Sequence, residues 1–383
     1  MDIAKLCSIG YIERFNSGVR SMLRYFAGGN TAKGFFNLYD STLANLGRVF
    51  ILTGRSTKEK TDIIKRIIET GQKKQLDVEV IHSPFGENEL DGVIIRDIGF
   101  AIVDGDPPRV LGKEFIGADW ETIDLDQADR TAHVDVDEIN EIKQKMDDQY
   151  RLAYREYANG LRVHDDWEKI YIDKMDFKKA DEVTSQLISR LFQHIDVPAE
   201  KVSEEIHRFL GAATPKGSVD FVNNLTAGLS ARYFLKGRAG TGKSTVLRKI
   251  VAEAKRLGLD MEIYHCGFDP NSLDMVLVRE LGWAVFDSTK PHEYFPELPG
   301  DEVIDMYELT VAPGTDELFA QEIAEIEAKY RTHMNAGTKY LAEAKKYRDQ
   351  LEEIYLKVAD TTFLEQIFVD IDKEIQLLIN NQR

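Results

Sequence analysis

One stretch of this chain occurs twice, and this repeat restricts the possible fold more than any other feature of the sequence. Residues 26–109 align with residues 209–292 at a constant offset of 183 positions without a gap, and 26 of the 84 aligned pairs are identical. That identity is about five times what random pairing of ordinary compositions gives. The chain therefore consists of two related halves, and we expect both halves to have the same fold.

Each copy alternates short apolar runs with segments of helical periodicity. The runs have the length and the β-branched content of strands in a parallel sheet, and the third run of each copy is followed by an aspartate. Strands that alternate with helices predict an α/β fold, in which a parallel sheet is flanked by helices and ligands bind at the carboxyl ends of the strands. The runs are 48–52, 78–81 and 100–103 in the first copy, and 232–235, 261–264 and 283–286 in the second.

The second copy contains a glycine-rich loop between a predicted strand and a predicted helix. This loop matches the P-loop pattern G-x-x-x-x-G-K-[ST] at every fixed position, and it lies in the strand–loop–helix context that the motif requires. Because glycine has no Cβ, successive backbone N–H groups can turn inward around phosphate oxygens, and the helix N-terminus adds a partial positive charge. The residues expected to bind a nucleotide are Gly237, Arg238, Ala239, Gly240, Thr241, Gly242, Lys243, Ser244 and Thr245.

Two residues of the second copy are expected to carry the chemistry, Lys243 and Asp287. The Lys243 ammonium is expected to reach the β- and γ-phosphates of the nucleotide. Asp287 follows the third apolar run, and we expect it to hold Mg²⁺ together with the hydroxyl of Ser244. The alternative for Asp287 is a cap on the turn that follows it, Ser288 to Pro291.

The residue that activates a water molecule or another acceptor is less evident. Ser288 follows Asp287, so the acidic neighbour found in many mechanical ATPases is missing. Polar residues at the ends of the predicted strands are candidates, although such residues usually act as caps. They are His265, Asp269, Asp274 and His292.

The first copy has lost part of the loop pattern. Its segment Gly54 to Thr61 keeps the lysine and the hydroxyl, but Thr57 and Glu59 stand where the second copy has Gly240 and Gly242. A carboxylate at this position repels phosphate, and a Cβ disfavours positive φ angles. We therefore predict a degenerate first-half site; the alternative is that a neighbouring lysine compensates and some binding survives.

Two further cations could act at the second-half site. Lys216 precedes the P-loop strand, and Arg96 could act as an arginine finger if the halves pack about a pseudo-twofold axis. A surface cation is the commoner explanation for both. The segment Thr289 to His292 ends in histidine and does not match the [NT]-K-x-D motif that reads guanine, so we expect an adenine nucleotide.

The remainder of each half has helical periodicity interrupted at a glycine. Apolar residues step by three and four positions through 316–358, with a break at 335–337, and the first half has a similar break at 159–160. The pattern predicts an α-helical hairpin appended to each half, which either packs on the protein itself or serves as a lid or an arm for a protein partner. A proline at 198 places the boundary between two P-loop domains, 1–197 and 198–383.

Composition narrows the classes of partner and the compartment. The formal net charge is −17, which disfavours nucleic acid and anionic membrane surfaces as partners. The two cysteines, Cys7 and Cys266, form no C-x-x-C pair, as is typical of a reducing compartment. No stretch approaches 18 consecutive apolar residues, and the first residues lack the apolar core of a signal peptide, so a cytoplasmic location is expected.

The chain resembles an uncharacterised family of bacterial ATPase-like proteins with two tandem P-loop halves. The resemblance covers nearly the full length and is carried by Phe26 to Gly34, Thr214 to Gly217, the intact loop Gly237 to Ser244, and Asp287 to His292. It implies ATP binding and possible hydrolysis, with no established substrate. The first half departs from the family pattern at its loop and at the segment Asp104 to Arg109, in agreement with a degenerate first site.

These observations predict an ATP-binding P-loop protein, a Mg²⁺-dependent ATPase with one active C-terminal site and one degenerate N-terminal site. A small-molecule or nucleotide kinase is the first alternative, because P-loop kinases also lack the acidic residue after the Mg²⁺-binding aspartate. A non-enzymatic ATP-sensing scaffold, whose hairpins recruit a protein, is the second. The expected cofactors are ATP and Mg²⁺.

Overall fold

Strands and helices occur in the same order in the two halves, except that the second half has two additional short helices before its long helix. The computed structural model describes residues 22–109, 111, 119–127, 135–193, 195, 201–290, 292–357 and 361–381. The predicted domain boundary at 197/198 and Cys7 lie outside the described residues.

The elements of each half are numbered in chain order. The first half comprises β1 (Leu23–Tyr25), β2 (Gly28–Thr31), β3 (Gly34–Asn37), α1 (Tyr39–Thr42), β4 (Arg48–Thr53), α2 (Thr57–Lys73), β5 (Val78–His82), β6 (Leu90–Ile95), β7 (Phe100–Asp104), β8 (Asp119–Asp124), α3 (Val136–Ile172) and α4 (Phe177–Leu191). The second comprises β9 (Glu205–Phe209), β10 (Gly211–Thr214), β11 (Gly217–Asp220), α5 (Val222–Leu225), β12 (Ala231–Lys236), α6 (Lys243–Arg256), β13 (Met261–His265), β14 (Leu273–Val278), β15 (Trp283–Asp287), β16 (Asp301–Asp305), α7 (Met306–Thr310), α8 (Thr315–Leu318), α9 (Ala320–Leu356) and α10 (Thr361–Asn381). Short 3₁₀ helices occur at Arg96–Ile98, Leu125–Gln127 and Arg279–Leu281.

Each half has a six-stranded sheet, and both sheets are mixed. Their strand orders are β1-β5-β6-β7-β4-β8 and β16-β12-β15-β14-β13-β9. In the second sheet β12 runs parallel to β15 and β16, but β14 runs antiparallel to both of its neighbours, and β6 does the same in the first sheet. The α/β class is confirmed, whereas the prediction of a parallel sheet was wrong.

The connection between adjacent strands explains the antiparallel pair. Residues 83–89 join β5 to β6, and residues 266–272 join β13 to β14. A parallel crossover needs a dozen or more residues, so a connection of this length forces an antiparallel pairing. The runs of β6 and β14 are buried throughout and pack as central strands.

A third sheet joins the halves and defines a pseudo-twofold axis. Its order is β11-β10-β2-β3, and β10 pairs with β2 at Ala213 and Asn30, which are equivalent positions in the repeat. Phe26 and Phe209, also equivalent, donate their N–H groups to each other's carbonyls at 3.0 and 2.9 Å. An antiparallel pair in which equivalent residues face each other is the geometry that a twofold rotation produces.

Buried ion pairs lie beside this interface. Arg208 is 1% exposed and donates to Glu79 at 2.7 Å and to Glu262 at 3.2 Å, so one guanidinium joins equivalent carboxylates of the two halves. Arg96 donates to Glu79 at 3.0 Å, and Arg279 donates to Glu262 at 3.0 Å. Removal of one partner from such a network leaves a buried charge without compensation, so the network couples the stability of the halves.

The predicted helical hairpins are wrong in both halves. Helices α3 and α9 each run without interruption for 37 residues, through the glycines that were expected to break them. The two helices pack antiparallel on each other, since Ile139 clusters with Tyr355 near one end and Ile170 packs with Ile323 near the other. Gly337 lies where the helices approach closely, because a Cβ there would be 2.3 Å from a ring carbon of Tyr157.

The helix that follows each long helix packs on the sheet of the other half. Leu187 and Leu191 of α4 belong to the core of the second sheet, together with Val246 and Ile250 of α6. Residues Ile367, Ile371 and Ile375 of α10 belong to the core of the first sheet, together with residues of α2. Each half therefore contributes a helix to the hydrophobic core of the other. Within the described residues, no helix is both long enough and apolar enough to cross a membrane.

The two glycines at the helix crossing give a matched test of this packing. Gly337→Ala is expected to lower the free energy of unfolding by about 1–3 kcal/mol, because the added methyl overlaps the buried ring of Tyr157. Gly160→Ala meets the flexible Met334 sulfur at 3.3 Å and is expected to be neutral or stabilising by up to about 1 kcal/mol, the gain in helix propensity. Urea denaturation of both variants measures this difference. Equal effects would contradict the observed helix contact.

The central ion pairs predict a loss of stability in acid. Burial alone would raise the pKa of Glu79, but Arg208 and Arg96 lower it from its ordinary value of 4.5 to about 2. The unfolded chain therefore takes up a proton before the folded protein does, and this group's contribution, about 3 kcal/mol, is lost as the pH falls from 4.5 towards 2.

Urea denaturation between pH 2.5 and pH 6 measures this contribution. Glu79→Gln should flatten the acid dependence relative to the unsubstituted protein, whereas Glu302→Gln, which alters an exposed pair with Arg190, should not. The same acid dependence in all three proteins would contradict the assignment.

Candidate functional site

The second-half loop turns sharply between β12 and α6. Gly240 and Gly242 have φ angles of 75° and 82°, in the left-handed region that residues with a Cβ rarely adopt. Gly242 is the N-cap of α6, so the chain passes from the loop directly into the first turn of the helix. The backbone conformation therefore requires glycine at the two positions where the first half has Thr57 and Glu59.

Lys243, the first residue of α6, lies next to Asp287, the last residue of β15. The Lys243 Nζ donates to the carbonyl of Arg238 at 2.8 Å and lies 3.6 Å from Oδ2 of Asp287. The other carboxylate oxygen of Asp287 accepts from the N–H of Thr289 at 3.0 Å and from its hydroxyl at 2.6 Å. Asp287 thus caps its turn with one oxygen, as the alternative interpretation expected, and directs the other towards the lysine. Its role as a Mg²⁺ ligand stays a prediction.

Ser244 connects the loop to the antiparallel strand. Its Oγ accepts a hydrogen bond from the N–H of Leu273, the first residue of β14, at 3.0 Å. Thr61 makes the same contact to Leu90 in the first half, at 3.1 Å. A hydroxyl oxygen that accepts one hydrogen bond retains a second lone pair, so this contact leaves Ser244 able to ligate a cation.

Several backbone N–H groups of the second-half loop are without a protein acceptor among the described residues. Within the part of the chain that the structure describes, no protein acceptor lies within hydrogen-bonding geometry of the N–H groups of Gly240, Gly242, Lys243 or Ser244. These groups surround the first turn of α6, where the helix dipole is positive. Together with the Lys243 ammonium they form a group of donors suited to an anion with several oxygens.

In the first half a carboxylate of the chain itself lies at the equivalent place. Asp106 Oδ2 accepts from the N–H of Gly54 at 3.0 Å and from Nζ of Lys60 at 2.5 Å. The same lysine donates to Asp104 at 2.8 Å, and the side chains of Lys60 and Asp104 are nearly inaccessible to solvent. The lysine of the first loop is therefore neutralised by protein carboxylates.

A second carboxylate reaches the first loop from the second half of the chain. Glu352, on the long helix α9, accepts from the N–H groups of Thr57 and Lys58 at 2.9 and 3.2 Å and from the hydroxyl of Ser56 at 2.5 Å. These amides are equivalent to those that would surround a phosphate in an intact loop. The first loop thus binds an anion that the protein supplies.

The adjacent acidic residues are also paired in the first half. Arg109 donates to Asp91 at 2.5 Å and lies 3.3 Å from Asp104. Burial alone would raise the pKa of Asp104, but Arg109 and Lys60 together lower it. The equivalent of Arg109 in the second half is His292, so a permanent cation has been exchanged for a titratable imidazole.

Asp274 and His292 lie beside Asp287 in the second half. Burial and the neighbouring charge of Asp287 raise the pKa of Asp274 to about 7. Burial alone would lower the pKa of His292, but its hydrogen bond to Asp220 at 2.7 Å and the nearby carboxylates raise it. Tyr294 donates to the same Asp220 carboxylate. The sequence predicted Asp274 and His292 as candidates. It did not indicate Asp220 and Tyr294, because neither belongs to a recognisable motif.

The other two candidates for activating an acceptor hold local structure. One nitrogen of His265 lies 2.7 Å from the carbonyl of Pro270, and the other lies 2.8 Å from His207. Asp269 accepts from the hydroxyl of Ser272 at 3.1 Å within its own turn. Both make the capping contacts that are usual at strand ends.

The two further cations also have partners away from the loop. Lys216 donates to Glu87 at 2.5 Å on an exposed surface. Arg96 donates to Glu79 and to the carbonyls of Thr42 and Ala44, so its guanidinium belongs to the central ion pairs. The halves do pack about a pseudo-twofold axis, but this packing does not bring Arg96 to the second loop as an arginine finger.

No family model matches this chain, and no curated protein or solved structure matches it either. The resemblance to a bacterial ATPase-like family therefore stays a prediction. Function is inferred from the geometry of the two loops.

The two loop lysines give a test of this geometry without any ligand. Lys60→Ala removes a buried ammonium from the inaccessible Asp104 and the half-buried Asp106, and leaves Asp104 with Arg109. The expected cost is about 3 kcal/mol of unfolding free energy. Lys243→Ala removes a contact to a carbonyl and a longer one to a partly exposed carboxylate, and should cost about 1 kcal/mol. Urea denaturation without nucleotide checks both values. A larger loss at Lys243 would contradict the assignment of the first loop as the neutralised one.

Proposed function

We propose that this protein binds ATP at the loop Gly237 to Ser244 and hydrolyses it in the presence of Mg²⁺, while the first half serves as a degenerate partner. One observation carries this proposal. Among the differences between the two equivalent loops, the one that matters here is the partner of their donors. Carboxylates of Asp106 and Glu352 bind the amides and lysine of the first loop, whereas four N–H groups of the second have no protein acceptor among the described residues.

The residues of the second loop fit a triphosphate with a divalent cation. Unpaired amides and Lys243 supply donors for phosphate oxygens, while Ser244 and Asp287 supply oxygen ligands of the kind that Mg²⁺ takes. When bound, Mg²⁺ neutralises charge on the β- and γ-phosphate oxygens. The chain's own donors then stabilise the charge that develops as a water oxygen bonds to the γ-phosphorus and the bond to the β–γ bridging oxygen breaks.

A kinase remains a second candidate, and the position of Asp274 favours it. This carboxyl is 8% exposed and lies beside Asp287, as a group that accepts a proton from an acceptor hydroxyl would. Hydrolysis and transfer are separated by following the γ-phosphate with and without a panel of metabolites. Release of phosphate independent of the panel supports hydrolysis, a steep rise with one acceptor supports a kinase, and retained ATP supports a sensor without catalysis.

Nucleotide-dependent stabilisation should require Lys243 and not Lys60. At a Mg-ATP concentration of 100 times the dissociation constant, binding raises the unfolding free energy by about 2.7 kcal/mol. Lys243→Ala should abolish this increment because it removes the cation that meets the β- and γ-phosphates. Lys60→Ala should retain this increment, although its nucleotide-free form is less stable, because that lysine pairs with two carboxylates of the protein.

Thermal or urea unfolding with and without Mg-ATP provides the measurement. Each variant is compared with its own nucleotide-free sample, so a change in baseline stability does not affect the result. Loss of the increment in both variants, or in Lys60→Ala alone, would refute the assignment of the site to the second half.

A further inference from the structure

The long helix of the first half lies directly against the second-half loop. The main chain of Glu168, near the C-terminal end of α3, approaches Gly240 so closely that a Cβ on that glycine would be 2.6 Å from the Glu168 carbonyl oxygen. Gly242 is covered by the side chain of Met175, whose terminal methyl would lie 3.1 Å from an added Cβ. The second loop is therefore bounded by residues of the first half, and its site is composite.

The first half shows what a carboxylate at this position of a long helix can do. Glu168 and Glu352 are both the thirty-third residue of their 37-residue helices, and each helix covers the loop of the opposite half. Glu352 accepts from the N–H groups of Thr57 and Lys58. The repeat makes Gly240 and Thr241 equivalent to these two residues.

Glu168 has a different partner in the second half. Its carboxylate lies 3.7 Å from Nδ1 of His164, one helical turn earlier, and its side chain is 37% exposed. Burial lowers the pKa of His164, the Glu168 carboxylate opposes this, and the nearby Lys243 ammonium adds to it. The net effect is a lowered pKa, so the imidazole is mainly neutral near pH 7. A neutral imidazole at this distance holds a carboxylate weakly.

We propose that Glu168, supplied by the first half, is the residue that sets the affinity of the second-half phosphate site, because its carboxylate competes with phosphate for the N–H group of Gly240. The N–H of Thr241 donates to the carbonyl of Arg238 at 3.4 Å. This inference rests on the proposed nucleotide site. The carboxylate has two positions, one beside His164 and one on the loop amides, where its counterpart Glu352 lies in the first half. A bound nucleotide displaces it from the second position.

Charge removal at this residue should therefore tighten binding. Glu168→Gln keeps the size of the side chain and removes its negative charge from beside the phosphates. We expect the dissociation constant of Mg-ADP to decrease about tenfold, because the screened repulsion between a carboxylate and a neighbouring phosphate is of that order. Asp166→Asn is the matched control, since it makes the same change on the same helix at an exposed residue that pairs with Lys169. The dissociation constant of Mg-ADP for this control should stay within about twofold of that for the unsubstituted protein.

Calorimetric titration of Mg-ADP and of Mg²⁺ with a slowly hydrolysed ATP analogue, into the full chain and both variants, tests the proposal. The unliganded unfolding midpoint of each variant verifies its fold. Tighter binding in Glu168→Gln alone supports the proposal, as does binding that appears only in that variant. Unchanged or weaker binding there, with Lys243-dependent binding in the unsubstituted protein, overturns the inference and leaves the proposed function standing. No binding in either protein overturns both.

Discussion

Backbone N–H groups that converge at a loop and a helix N-terminus favour an anion, and the rest of both halves is arranged around this preference. In the first half the anions are carboxylates of Asp106 and Glu352, which the chain supplies from a neighbouring loop and from the opposite half. In the second half the N–H groups of Gly240, Gly242, Lys243 and Ser244 have no protein acceptor among the described residues, while that of Thr241 donates to the carbonyl of Arg238. A charge-assisted hydrogen bond to a loop amide is among the stronger contacts available to a protein. The proposed division between a structural half and a binding half therefore depends on whether the anion comes from the protein or from a ligand.

The exchange of helices between the halves makes each half depend on the other for its hydrophobic core. Helix α4 completes the core of the second sheet and α10 completes that of the first, while the long helices α3 and α9 lie on each other and on the opposite loops. The ion pairs around Arg208 fix the axis about which this exchange occurs. Because neither half buries its core alone, the first half is needed for the fold of the second whether or not its own loop binds a ligand. The first loop supports the helix that carries Glu352.

The repeat and the strands that bear the loops could be predicted from sequence, because both depend on local pattern. The antiparallel direction of β14 follows from the short connection that precedes it, residues 266–272. The apolar pattern alone does not indicate strand direction. The continuous helices were missed because a glycine weakens an isolated helix by about 1 kcal/mol, whereas here Gly337 admits the ring of Tyr157 and packing outweighs propensity. Lys243 and Asp287 were identified through a motif. The contact of Glu352 with Thr57 joins residues far apart in sequence, and no local signal marks it.

The central claim is that one loop of this chain binds a triphosphate and the other binds the protein's own carboxylates. The most direct measurement is a crystal structure of the full chain grown with saturating Mg²⁺ and a slowly hydrolysed ATP analogue. The account predicts one nucleotide per chain, with its phosphates on Gly237 to Ser244 and with Asp106 and Glu352 still bound to the first loop. A triphosphate on Gly54 to Thr61, with the second loop holding none, would contradict it.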